Sequence, residues 1–69
     1  MPADRQDPAD RMQSLIRRRF FESGHRYAPG YVFAHCGVYS DWQRHQFMRA
    51  ITRRRLAGYD REHDAFYIL

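Results

Sequence analysis

Ser40–Gly58 reads SDWQRHQFMRAITRRRLAG. It opens on Ser40 with Gln43 three residues later, the hydroxyl-then-amide spacing of a helix capping box. Asp41 adds an acid where the helix dipole favours one. Ala57 and Gly58 close the stretch, so the spacing predicts a long helix over 41–56. Around its wheel, Phe47, Ala50 and Ile51 form an apolar arc facing inward, with Met48 at the margin. The opposite arc carries Trp42, His45, Gln46, Arg49, Thr52 and Arg53. Arg44 and Arg55 flank the inward arc. Arg54 falls near the core side, where its aliphatic stem is expected to snorkel past apolar neighbours.

The charge on this helix is one-sided. Five of the chain's arginines lie within the stretch, and no aspartate or glutamate occurs between Asp41 and Asp60. A merely solvated helix face mixes signs, placing acids four residues from bases. Uncompensated guanidinium groups repel one another, so the pattern points to an anionic partner. The whole chain carries 12 basic residues against 8 acidic ones, and every basic residue is arginine. A GC-rich genome accounts for the missing lysine, but not for where the arginines sit. A second cluster, Arg17-Arg18-Arg19, is either a solvated face or a flanking phosphate contact.

Upstream, residues 1–6 are expected to be a disordered tail and residues 7–69 a single domain. Asp7-Pro8 reads as an N-cap followed by proline at the first helical position. Met12, Leu15, Ile16 and Phe20 recur at helical spacing, and Gly24 looks like a left-handed cap. A first helix over 8–23 is expected. HRYAPG, residues 25–30, reads as a turn. The short apolar run YVFAHC that follows, over about 30–36, fits either a helix ended by Gly37 or a strand. Downstream, residues 59–69 read as a β-hairpin turning at Arg61–Asp64. Its last strand alternates Phe66 and Ile68 on one face with Tyr67 and Leu69 on the other.

The resulting order, a small α+β chain of helix, short apolar segment, basic helix, glycine and hairpin, resembles a winged helix-turn-helix domain. The residues that carry the resemblance are Gly37-Val38, the stripe Phe47/Ile51 and the run Arg53-Arg54-Arg55-Leu56-Ala57-Gly58-Tyr59. The resemblance implies that helix 40–56 lies in the major groove of duplex DNA and that Asp60–Asp64 is the wing tip. Gln46 and Arg49 would then read base edges, while Arg44, Arg53 and Arg55 would hold phosphates. Trp42, His45, Thr52, Arg17, Arg18 and Arg61 complete the expected nucleic-acid surface. The implied role is a transcriptional regulator or accessory factor of bacterial, plasmid or phage origin, acting alone or as a homodimer. The alternative is a protein–protein inhibitor or adaptor, offering the same Arg/Trp/Tyr surface to an acidic protein.

Other classes fit poorly. A 69-residue chain has little room for an enclosed active site. It has no glycine-rich phosphate loop, paired-carboxylate site or nucleophile elbow, so no enzymatic activity and no cofactor are expected. His35, Cys36, His45 and His63 lack zinc-ligand spacing, so no metal is expected either. Cys36, the only cysteine, reads as a small buried hydrophobe. The polar N-terminus has no apolar leader segment, and no run is long enough to span a bilayer. A cytoplasmic protein without a membrane partner is therefore expected.

Overall fold

The computed structural model describes residues 7–69; the expected tail at 1–6 lies outside the described residues. Three helices and three strands follow in the order α1 (Pro8–Arg17), β1 (Arg26–Tyr27), α2 (Pro29–Cys36), α3 (Asp41–Arg53), β2 (Ala57–Asp60) and β3 (Ala65–Ile68). The strands form one antiparallel sheet in the order β1-β3-β2. The chain is thus a small α+β fold in which three helices pack on one face of a three-stranded sheet.

α1 starts as its sequence dictates. The Asp7 carboxylate accepts from the Ala9 amide, and Pro8 takes a first-turn position. The helix stops at Arg17, six residues short of the expected 23. Arg18 caps it, and Arg19 turns the backbone into the left-handed region at φ 66°. Its amide and that of Phe20 bond back to Ile16 and Leu15. This early turn redirects the chain so that Phe21, not Phe20, enters the core: Phe21 is fully buried and Phe20 is exposed. Gly24 is left-handed as expected, but it caps no helix. Its amide instead donates to the Ile68 carbonyl and begins the sheet.

The segment expected as a pure turn, 25–30, contains β1, a two-residue strand paired to β3 through Arg26↔Tyr67 and Tyr27↔Phe66. The open choice at 30–36 resolves as a helix. Val32 and Cys36, one turn apart, bury together, and Gly37 ends α2 at φ 75°. A side chain at Gly37 would force an L-residue into this left-handed geometry.

α3 has the full capping box: Ser40 Oγ accepts from the Gln43 amide, and Gln43 Oε1 accepts from the Ser40 amide. It buries Phe47 and Ile51. It ends at Arg53, three residues before the expected 56. Arg55 adopts φ 57°, and Leu56 bonds back to the Ile51 carbonyl. This lets β2 start at Ala57, two residues before the expected Tyr59. β2 then pairs β3 from Ala57↔Ile68 to Asp60↔Ala65, with 61–64 as the turn. Alternation places Phe66 and Ile68 in the core and Tyr67 and Leu69 outside it.

A single core joins all the elements: Ala9 and Met12 from α1, Phe21, Val32 and Cys36, Phe47 and Ile51, Ala57, Phe66 and Ile68. Phe66 lies at its centre, meeting Phe33, Phe47 and Tyr59 edge-on at centroid separations of 5.5, 6.1 and 5.7 Å. The core supplies no free polar groups: no buried side-chain nitrogen or oxygen among the described residues lacks a partner.

Candidate nucleic-acid interface

α3 is anchored on three sides. Phe47 and Ile51 lock it to the core. On the α1 side, Arg54 Nη1 donates to Asp10 Oδ1 at 2.7 Å and to Gln13 Oε1 at 3.2 Å. On the α2 side, the Arg44 guanidinium stands 5.4 Å over the Phe33 ring. These contacts fix which way the remaining face points. Trp42, His45, Gln46, Arg49, Thr52 and Arg53 are all exposed, so the arc expected from the wheel is one continuous outer surface.

The acid-free character of α3 survives folding only on that arc. Arg54 finds its acid on another element, Asp10. Arg44 lies 3.4 Å from Asp41, an i,i+3 pair whose carboxylate is fully exposed; such a pair contributes little. Arg49, Arg53 and Arg55 form no ion pair with any described residue. Trp42 is 71 % exposed and the neighbouring Tyr39 76 %. Trp42 lies beside Asp7–Ala9 at the start of α1, away from the hairpin.

The hairpin turn flanks the other side of α3. An open apolar cleft of about 210 Å³ separates them, lined by Pro29, Phe33, Met48, Tyr59, Asp64 and Phe66. The acids of the turn are mostly committed internally. Asp60 accepts from Arg26 Nε at 3.0 Å and lies 2.7 Å from His63 Nδ1. The hydrogen bond from His63, and next to it that from Arg26, holds the Asp60 carboxyl below the usual aspartate range. Asp64 accepts from the Tyr59 hydroxyl, which raises the tyrosine above its ordinary value. Arg61 and Glu62 are left exposed at the tip. Asp60, Glu62 and His63 also bring donor atoms within 4.8 Å of one another. The Asp60 carboxylate already serves Arg26 and caps the Glu62 amide, so the grouping is accounted for as a turn lock.

Two of the expected site residues come from the end of α1 rather than from α3. Arg17 and Arg18 lie at the C-terminal end of α1, and the contacts of that helix with α3 and Arg54 run from Pro8 to Gln13. Four helical residues, roughly 6 Å of rise, separate Gln13, which holds Arg54, from Arg17. Arg17, four residues after Gln13 and seven after Asp10, shares their side of α1, and Arg18 and Arg19 follow in the turn beyond it. Arg26 was not among the expected residues. It joins the outer sheet face to the turn, with its guanidinium 5.4 Å from the Tyr67 ring. The only sequence signal for it was an arginine next to a tyrosine, which says nothing about a partner 34 residues away.

Cys36 is buried against Met12, with their sulfurs 3.8 Å apart. Burial pushes its thiol up to about 12, with Arg11 acting weakly in the opposite direction. The folded thiol is therefore neutral where an unfolded one, at about 8.5, ionises. With the folded value raised, stability from this site is fully present below the unfolded value and is lost as pH rises toward the folded one. The urea midpoint of the native chain should fall faster between about pH 9 and 11 than that of Cys36→Ala. Equal slopes would show that the thiol is open to solvent.

No protein-family model, curated protein or solved structure matches the chain. Among the described residues, no helix is long and apolar enough to cross a membrane.

Proposed function

We propose that this chain is a winged-helix-type protein that binds duplex DNA by laying α3 in the major groove. The observation that carries the proposal is the outer arc of α3: six exposed side chains, none of them acidic, on a helix locked to the core along its opposite face. The order helix, strand, helix, helix, hairpin, with β3 between β1 and β2, supports the same reading.

The side chains divide by reach. Gln46 and Arg49 project from the middle of the arc, and they suit adenine and guanine edges respectively. Arg53 and Arg55, at the C-terminal end, suit phosphate oxygens. Arg54 is excluded from contact because Asp10 and Gln13 already hold it. Arg44 stacks on Phe33, and its contact would be to the flanking backbone. Of the hairpin tip, Arg61 alone offers a charge favourable to phosphate. The mechanism is occupancy: bound protein displaces counterions and blocks or recruits other machinery, in the manner of a transcriptional regulator or accessory factor.

Fluorescence anisotropy with a mixed-sequence duplex across a salt series tests this. The expected result is micromolar binding with a log–log salt slope of about −3 to −6, each phosphate contact contributing about 0.9. No binding at low salt would overturn it. A second reading draws on the exposure of Tyr39 and Trp42: tryptophan, tyrosine and arginine are the residue types that dominate protein interfaces. On that reading the same arc meets an acidic protein, and the chain binds no generic duplex.

A further inference from the structure

α2 presents two different faces. Phe33 turns toward α3 and the sheet, where it meets Phe47 and Phe66. Tyr31 and His35, four residues apart and so on one side of the helix, turn the other way, toward the loop after α1. There the His35 ring lies 4.5 Å from Tyr31 and 4.8 Å from Phe20. The Tyr31 ring is nearly parallel to two neighbours, at 14° to Phe20 and 14° to Tyr27, with centroids 6.0 and 6.2 Å away. The result is a contiguous aromatic surface on the face of α2 turned away from Phe33 and α3.

This surface is open. Phe20 is 41 % exposed and Tyr31 46 %, and His35 is exposed beside them. Single exposed apolar residues are ordinary, but a contiguous patch marks a contact surface. The early end of α1 creates it, because the left-handed turn at Arg19 puts Phe21 inside and Phe20 outside.

The charge beside the patch selects the occupant. Arg17, Arg18 and Arg19 lead directly into Phe20, are exposed, and form no ion pair with a described residue. The nearest acid, Glu22, lies 3.6 Å from His25. A second copy of the chain meeting this face symmetrically would set two arginine triads against each other. A duplex keeps its base faces stacked within itself and offers nothing flat to the rings. A single strand supplies both complements, base faces for the aromatic rings and phosphates for the guanidinium groups.

We propose that Phe20, Tyr31 and His35, bordered by Arg17–Arg19, bind single-stranded nucleic acid by base stacking, on a face separate from the α3 arc. The proposal does not depend on duplex binding by α3.

The test uses the full chain and a fluorescein-labelled oligo-dT of about 12 nucleotides, within the site sizes typical of stacking platforms. Tyr31→Leu keeps the apolar bulk but removes the stacking ring, and it should weaken binding about tenfold, within the range seen for loss of one base stack. Tyr31→Phe should bind like the native chain. Tyr67→Leu, an exposed ring on the outer sheet face, should leave oligo-dT affinity unchanged. A native chain that ignores oligo-dT would overturn the proposal. So would equal binding by Tyr31→Leu with an unchanged far-UV spectrum. Sedimentation showing a dimer that Tyr31→Leu dissociates would assign the face to self-association instead and overturn it equally.

Discussion

Arg49→Glu is expected to weaken duplex binding at least about tenfold while leaving the fold intact. Arg49 is exposed at the middle of the outer arc and is not paired with any described acid. Reversing its charge removes one favourable contact and sets a carboxylate against phosphate. Anisotropy at low salt should show at least about a tenfold loss, with a shallower salt slope, since each lost phosphate or base contact costs on that order. The urea midpoint should move little, because exposed substitutions away from packing and caps fall within about 0.5 kcal/mol. Arg54→Glu provides the contrast. It would place a carboxylate beside Asp10, where Arg54 Nη1 now lies 2.7 Å from Asp10 Oδ1, and loosen α1 from α3. Any binding loss there should track lost stability. If Arg49→Glu binds duplex as well as the native chain, α3 is not the reading helix.

Phe66→Ala should be the most damaging single change to the fold. The side chain is fully buried and contacts Phe33, Phe47 and Tyr59. Truncating such a phenylalanine costs about 3–5 kcal/mol. A 69-residue chain at roughly 0.05–0.15 kcal/mol per residue has only about 3–10 kcal/mol in all. The variant should therefore be partly or wholly unfolded at 25 °C by circular dichroism, and its melting transition should be broad or absent. Tyr67→Ala, one residue on but on the opposite face, loses chiefly a contact with the Arg26 guanidinium, worth about 0.5–1 kcal/mol. A similar loss for both variants would mean that the alternation of β3 does not define the core.

The parts of the fold legible in the sequence were those set by local chemistry. Asp7 before Pro8, and Ser40 with Gln43, marked the starts of α1 and α3, because capping depends on residues within one turn. The 2-residue alternation of β3 marked its buried face for the same reason. Gly37 marked the end of α2, but the ends of α1 and α3 were not legible. α1 and α3 both stop before a left-handed arginine, Arg19 and Arg55, where glycine or asparagine would be the ordinary signal. Those turns are imposed from outside, by the burial of Phe21 and by the start of β2 at Ala57. β1 was hidden because two residues carry no period. Of the candidate site, the outer arc of α3 followed from the wheel, since helical angle fixes which side chains share a face. The position of Arg17 and Arg18 relative to that arc did not, because it depends on how α1 crosses α3. The Arg54–Asp10 pair escaped for the same reason, and it reduces the free charge that the sequence alone assigns to α3.

The sheet order has a consequence for synthesis on the ribosome. β3 comes after β1 and β2 in the chain, yet both bond only to it. A nascent polypeptide carrying residues 7–64 can form its helices, but neither strand has a ladder partner, and Phe21 and Phe47 lack the cover that Phe66 and Ile68 provide. Closure must wait until residues 65–68 leave the exit tunnel. Folding is then one concerted event rather than a stepwise accretion.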